Sequence, residues 1–309
     1  VNSQDSRLGR PPFLGLLALA LTAGVALWSI PSDEWKRLGE RIELRKVERE
    51  LVHAAGLDPA VGLPDLTGSF VPLIAHAGGG VDGESLLNCK EALDASWERG
   101  FRLFELDFSF TTDRQLVLLH DWDVTFTRLF GNPGGPLDLG AFRKRRMSGG
   151  FSPLEPDSLA AWLREHPGAY VVTDVKGDTL EALGILLARH PWLRERLIPQ
   201  IYRLSEYVPV RRLGLRTVIL TLYVSQYDDQ TVLRFASSAS LAAVTMDYYR
   251  AYWVLPPQLR AAGVTVLAHT VNDPLMARRL MRNGVSGFYT DNLDPRTPPE
   301  TPRRAGPRR

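Results

Sequence analysis

Two stretches, Ile74-Ala-His-Ala-Gly-Gly79 and Arg102-Leu-Phe-Glu-Leu-Asp-Phe-Ser-Phe-Thr-Thr-Asp-Arg-Gln-Leu-Val-Leu-Leu-His-Asp-Trp122, decide how this chain is read. A strand ending at His76 precedes one carrying Glu105 and Asp107, then a turn and a further strand ending at His120-Asp121. Side chains two residues apart on a strand share a face, so the two carboxylates point the same way. Each histidine stands where a short apolar run stops, which lets its ring leave the sheet and enter a cleft. Two imidazoles beside a pair of hard oxygen ligands point to acid–base chemistry at a Mg²⁺ or Ca²⁺ site.

Working outward, apolar runs of strand length recur at Val71–Ala75, Leu103–Phe108, Tyr170–Val175, Leu197–Ile201, Thr217–Leu222, Leu241–Met246, Val264–Ala268 and Gly287–Thr290. Stretches of helical period separate most of them: Cys89–Arg99, Leu159–His166, Thr179–Arg189, Ser205–Leu213, Tyr227–Ser237, Pro256–Ala262 and Pro274–Asn283. Gly100, Gly214, Gly263 and Gly284 fit helix stops before the next strand. Eight strands alternating with helices predict an α/β fold, a (β/α)₈ TIM barrel over residues 67–297. Leu116–Leu119 is surplus to eight and reads as a hairpin extension of the second barrel strand. A doubly wound open sheet is the competing arrangement, but no Gly-rich phosphate fingerprint follows the first strand.

The chain has 309 residues, ordinary globular composition and a formal net charge of +2, too small to imply a nucleic-acid partner. Its one cysteine, Cys89, excludes an intrachain disulfide and a Cys-based zinc site. Residues 13–30 are uncharged and long enough to span a bilayer, with Arg7 and Arg10 before them and Trp28 near their end. We read residues 1–30 as a single-pass membrane anchor, with a cleavable signal peptide (Gly24-Val25-Ala26) as the rival. A short Arg-containing leader before a long domain suggests an extracytoplasmic domain, although the basic residues after the segment argue the other way. Residues 31–66 read as a charged helix and linker, with Leu44, Val47, Leu51 and Ala55 at helical spacing. That helix is either a membrane-surface stalk or a packing helix of the domain. The Pro- and Arg-rich tail, 298–309, has nothing to bury and is expected to be disordered.

His-x-Gly at the first strand end, Asn88-x-x-Glu-Ala-Leu93, Glu105-x-Asp107, Thr111-x-Asp113 and His120-Asp121 occur in an order that resembles the glycerophosphodiester phosphodiesterase family. Thr173-Asp-Val-Lys176, Thr270-Val-Asn272 and Gly287-Phe-Tyr-Thr-Asp291 continue the resemblance through the rest of the domain. It implies metal-dependent phosphodiester hydrolysis, with His76 and His120 as general base and general acid. It implies further that Glu105, Asp107 and Asp174 hold one divalent cation, Ca²⁺ or Mg²⁺, and that Lys176 contacts phosphate. The chemistry is coherent: a cation neutralises the anionic diester, and imidazoles move protons near neutral pH.

The sequence departs from the family at Ala77, where an Arg that grips phosphate is usual, and at Leu87-Asn88-Cys89, where Pro-Glu-Asn-Thr is reduced. Asp174 replaces a longer Glu, and His269 replaces a Trp in the wall of the substrate pocket. Lys176 or Arg203 would then supply the missing phosphate contact. The implied partners are a small-molecule or lipid phosphodiester and, through the N-terminal segment, a membrane; oligomeric state is open. Phospholipase-type transfer giving a cyclic phosphate, and an inactive binding or scaffold protein, are the alternatives. Arg143-Lys-Arg-Arg146 reads as a solvated helix face or an attractor of anionic lipid. Tyr248, Tyr249, Tyr252 and Trp253 either grip a headgroup or close the mouth of the barrel.

Overall fold

A computed structural model describes residues 32–299 apart from 55, 65–70, 132–134, 226 and 298. The expected anchor at 13–30 lies outside the described residues, as does the tail apart from Pro299. Among the described residues no helix is long and apolar enough to cross a membrane.

Nine strands form one sheet: β1 (Leu73–Ala75), β2 (Leu103–Phe110), β3 (Leu116–Leu118), β4 (Tyr170–Val175), β5 (Leu197–Ile201), β6 (Ile219–Thr221), β7 (Ala243–Asp247), β8 (Val266–His269) and β9 (Gly287–Thr290). Their order is β1-β9-β8-β7-β6-β5-β4-β2-β3, and a parallel β1–β2 pairing (Ile74 with Leu103, Ala75 with Phe104) closes eight of them into a barrel. Closure rules out the open doubly wound sheet. Strand β3 is the expected ninth: it runs antiparallel to the far end of β2, pairing Phe108 with Leu118 and Phe110 with Leu116. The turn between them is held by the Thr111 hydroxyl, which donates to Asp113 Oδ1 at 2.5 Å.

One residue from each barrel strand builds the floor of the interior: Ile74, Leu103, Val172, Ile198, Ile219, Ala243, Leu267 and Tyr289. Layers of this kind, one inward side chain per strand, fill such barrels. The residues between them along each strand, such as Phe104, Leu106, Phe108, Val171 and Val175, face outward into the larger core beneath the helices. Because strand side chains alternate with period two, the next inward layer lies two residues on. That layer is polar, and it is where the site begins.

The surrounding helices are Lys90–Arg99, Val124–Phe130, Leu139–Arg143, Pro156–Glu165, Thr179–Arg189, Tyr207–Arg212, Asp229–Ser238, Leu255–Ala261 and Pro274–Arg282. Cys89 is the cap of the first: its sulfur accepts from the Ala92 N–H, which leaves the thiol buried and structural. The chain divides by its contacts at Ile42, and the unit from Glu43 onward contains the whole barrel. Helix Ser32–Val52 crosses that boundary. From Glu43 it packs as part of the domain, with Leu44 and Val47 in the main core. The Glu43 carboxylate accepts from the Ser205 N–H and hydroxyl at 3.0 and 2.9 Å and from Tyr227 at 2.8 Å.

Candidate active site

The inward positions two residues beyond the apolar floor are His76, Glu105, Asp174, Gln200, Thr221, Thr245, His269 and Asp291. On β2 the series runs one step further, to Asp107, which sits opposite Asp174 in the β2–β4 register. All of these except Thr245 and Asp291 line one pocket of about 230 Å³, together with His120, Lys176, Tyr202, Tyr223, Tyr289 and others. This is the C-terminal mouth of the barrel, where the strand ends and following loops of such folds carry their chemistry. The β2–β3 hairpin delivers His120. The Leu119 N–H donates to the Asp107 carbonyl at 3.0 Å and Ser109 Oγ to the Leu119 carbonyl at 2.7 Å, which pins the next residue at the rim.

Glu105, Asp107 and Asp174 each offer a carboxylate oxygen within 4.8 Å of the other two. Glu105 and Asp107 are almost completely buried, so their mutual repulsion is poorly screened. Burial and the charge of Asp107 push the Glu105 carboxyl up to about 8. Its Oε2 accepts from the Ala77 N–H at 2.8 Å, but Oε1 is buried with no hydrogen-bond partner among the described residues. An orphaned carboxylate oxygen beside two further carboxylates fits a divalent cation, which would satisfy it and neutralise the cluster. Asp107 is fixed from two sides. Asn88 Nδ2 donates to Asp107 Oδ2 at 2.7 Å while the Asp107 N–H donates to Asn88 Oδ1 at 2.9 Å. Burial opposes ionisation of Asp107, yet the charges of Lys176, His120 and His76 hold it below its usual range.

Lys176 Nζ lies 2.9 Å from Asp107 Oδ1 and 3.0 Å from Asp174 Oδ2. An ammonium has three N–H donors, so one remains for an anion in the pocket. Tyr202 donates its hydroxyl to the other oxygen of Asp174. Lys176 thus brings a positive charge to the pocket wall. Arg203 is exposed and absent from the pocket lining, and Tyr202 forms the wall at that strand end. Its position one residue past Tyr202 turns it to solvent, while its N–H, like that of Tyr202, donates to Glu206 Oε2.

Both histidines are oriented by carboxylates. His76 Nδ1 is 2.9 Å from Asp291 Oδ1, and His120 Nδ1 is 2.8 Å from Asp121 Oδ2. Each contact leaves Nε2 available to the pocket that both rings line. Asp291 is itself clamped by Asn272, whose Nδ2 donates to Asp291 Oδ2 at 2.8 Å and whose Oδ1 accepts from the Asp291 N–H at 2.8 Å. Burial disfavours a charged His76, but the hydrogen bond to Asp291 and the charges of Glu105, Asp291 and Asp107 prevail and raise its pKa to about 9. Asp121 is held in place by the hydroxyl and N–H of Thr125 (2.6 and 2.9 Å) and the N–H of Asp123 (3.0 Å). These bonds and the one to His120 overcome partial burial and keep its carboxyl below the usual carboxylate range.

Ala77 explains one departure from the family pattern. It is fully buried, with φ +48°, and contributes its backbone N–H to Glu105 rather than a side chain to the pocket. The remaining sequence expectations are placed as follows. Arg143 pairs with Glu155 at 2.6 Å, away from the pocket lining. Tyr249, Tyr252 and Trp253 are exposed beyond β7, and none of them lines the pocket. Asp291, Asn88 and Tyr202, which the sequence does not mark as site residues, hold His76, Asp107 and Asp174 respectively, and Gln200 lines the pocket.

The fold is thus a closed parallel (β/α)₈ barrel with an acid cluster and two carboxylate-held imidazoles at its C-terminal mouth. Among solved structures, the chain is similar to a glycerophosphodiester phosphodiesterase from Thermotoga maritima, with 19% identity over 72% of this chain and 96% of that one and a TM-score of 0.57. It is similar to one from Parabacteroides distasonis at 18% identity, 72% and 93% coverage and a TM-score of 0.58. It is also similar to an Oleispira antarctica phosphodiesterase solved with the product sn-glycerol-3-phosphate, at 18% identity, 74% and 95% coverage and a TM-score of 0.56. No protein-family model matches the sequence, and no curated protein sequence does. At these identities the likeness establishes the fold, and the site residues have to carry any statement about function.

Proposed function

We propose that this protein is a metal-dependent phosphoric diester hydrolase acting on glycerophosphodiesters or closely related phosphodiesters. One observation carries the reading: two pocket-facing imidazoles, each held by its own carboxylate, stand beside a buried triad of carboxylates with an unsatisfied oxygen. The likeness to phosphodiesterase structures, one of them holding sn-glycerol-3-phosphate, supports the same class.

Glu105, Asp107 and Asp174 would hold one Ca²⁺ or Mg²⁺, which when bound lowers the electrostatic barrier to attack on an anionic diester. Lys176, with one donor left over, binds a phosphoryl oxygen. His76 and His120 divide the proton traffic: one takes a proton from the attacking water, the other gives one to the departing alkoxide. Asp291 and Asp121 fix which ring nitrogen faces the pocket, and Asp291 also stabilises the imidazolium form of His76. The hydrogen bond to Asp291 and the charges of Glu105, Asp291 and Asp107 all favour the protonated form of His76, so neutralising Glu105 and Asp107 would ease its action as a base. Glu105 and Asp107 would be neutralised in this way when they hold the cation.

The test is hydrolysis of sn-glycero-3-phosphocholine and related diesters with added Mg²⁺ or Ca²⁺. Replacing His76 or His120 with Ala is expected to lower kcat by roughly 10²- to 10⁴-fold, with the far-UV circular dichroism of the wild type retained. Undiminished turnover in folded His76→Ala and His120→Ala proteins would refute the assignment. Phosphorus-31 NMR separates the outcomes, since a monoester signals hydrolysis and a persistent cyclic phosphate signals transfer to a substrate hydroxyl.

A further inference from the structure

Of the carboxylate oxygens of Glu105, Asp107 and Asp174, all but Glu105 Oε1 meet a protein donor. The Ala77 N–H donates to Glu105 Oε2, Asn88 Nδ2 to Asp107 Oδ2 and the Tyr202 hydroxyl to Asp174 Oδ1. Those donors are neutral. The remaining oxygens, Asp107 Oδ1 and Asp174 Oδ2, share one ammonium, Lys176 Nζ, at 2.9 and 3.0 Å. Among the described residues, Lys176 is the one basic group at ion-pair distance from these carboxylates.

The backbone of Lys176 is fixed. Its N–H donates to the Phe108 carbonyl at 2.8 Å, which prolongs the β2–β4 ladder past the Phe108–Val175 pair. Its side chain is less confined: it is 24% exposed and lines the pocket. A lysine head is a compact charge on a flexible four-carbon stem. The ammonium can therefore turn from the carboxylates to the pocket while the strand end stays in place.

Lys176 and a divalent cation compete for the same two carboxylates. Glu105 and Asp107 are buried, so two like charges among these oxygens repel each other with little screening. Lys176 would be driven off, whereas Ala77, Asn88 and Tyr202, being neutral donors, would keep their oxygens in position.

We propose that Lys176 is an internal counter-cation, exchanged for the divalent ion at Asp107 and Asp174, and that its release into the pocket prepares the site for an anionic phosphoryl group. The proposal rests on the cation assignment above. It makes binding ordered, with the ion first and the phosphodiester second. By linkage, each tightens the binding of the other.

Calorimetric titration of chelator-washed, full-length protein with Mg²⁺ and with Ca²⁺ compares the wild type with Lys176→Met. Removing the competing ion pair is expected to lower the Kd of the ion by roughly tenfold to a hundredfold. Equal Kd values would show that ammonium and ion share the carboxylates, and a higher Kd in the variant would show that Lys176 helps to build the cation site. Either result overturns the proposal and leaves the phosphodiesterase reading intact. No binding heat in either protein removes the cation, and both claims with it. A second measurement needs no variant: nitrogen-15 NMR of lysine-labelled wild type follows the Lys176 ammonium during the same titration. Its protons are expected to exchange slowly with water before the ion is added and rapidly once the ion saturates. A Lys176 signal unchanged at saturating ion overturns the proposal, whether or not Lys176→Met folds.

Discussion

His76 shows how far a single side chain's chemistry depends on its neighbours. Its folded-state pKa, about 9, lies above the ordinary 6.5, so the His76–Asp291 pair stabilises the fold fully below pH 6.5 and loses that contribution as the pH rises through 9. The difference corresponds to on the order of 3 kcal/mol. Urea unfolding of cation-free protein should therefore show stability falling between pH 6.5 and 9, and His76→Gln should flatten that fall. NMR titration offers a sharper check: the His76 pKa should drop when Mg²⁺ or Ca²⁺ is added, because Glu105 and Asp107 contribute to the rise. A pKa indifferent to cation would contradict a metal at those carboxylates. Much of this site was legible in the sequence. Glu105, Asp107, Asp174 and Lys176 stand in period two on apolar strands, and period two is visible without a structure. The same rule would have found Thr245 and Asp291, each two residues beyond an apolar inward position. Asn88 was not legible as a site residue, because it reaches Asp107 from a loop, in a left-handed conformation at φ +48°, across nineteen residues of chain.

The strands were read with nearly the right boundaries because each is apolar on both faces, one toward the barrel interior and one toward the helices. β6 is shorter than its apolar run at both ends, and β7 starts two residues later and ends one residue later than its run, as boundaries set by side-chain pattern alone do. Pairing partners were less accessible, since the sequence carries no signal for the β1–β9 seam. That seam depends on Gly287, where an added Cβ would lie 2.4 Å from the Pro72 carbonyl oxygen and 3.0 Å from Leu267. Gly287→Ala is expected to destabilise the protein by about 1–3 kcal/mol through overpacking at barrel closure, read as a lower urea midpoint. An unchanged midpoint would show that β1 and β9 do not approach so closely. The helix Ser32–Val52 illustrates the opposite case. Its charged pattern fitted a membrane-surface stalk or a packing helix equally well, and burial of Leu44 and Val47 with the three hydrogen bonds to Glu43 makes its second half part of the domain.

The molecule as a whole joins a barrel of familiar architecture to a site whose details are its own. Ala77 gives a backbone donor where a basic side chain is usual in the family, and His269 lines the pocket with a buried Nε2 that has no hydrogen-bond partner among the described residues. The departures cluster around the pocket, while the two histidines and three carboxylates named from the sequence all line it. The uncharged segment 13–30 leads to a separate expectation: full-length protein should partition with membranes and require detergent, rather than high salt, for release. Recovery in the soluble fraction after a salt wash would contradict an uncleaved anchor. The central claim, metal-dependent phosphodiester hydrolysis at the barrel mouth, is tested most directly by phosphorus-31 NMR. sn-Glycero-3-phosphocholine is incubated with wild-type protein and Mg²⁺ or Ca²⁺, then again after excess chelator. The account predicts a phosphomonoester signal that grows with cation and stops with chelator; growth that continues undiminished in chelator, or no product from any glycerophosphodiester, would contradict it.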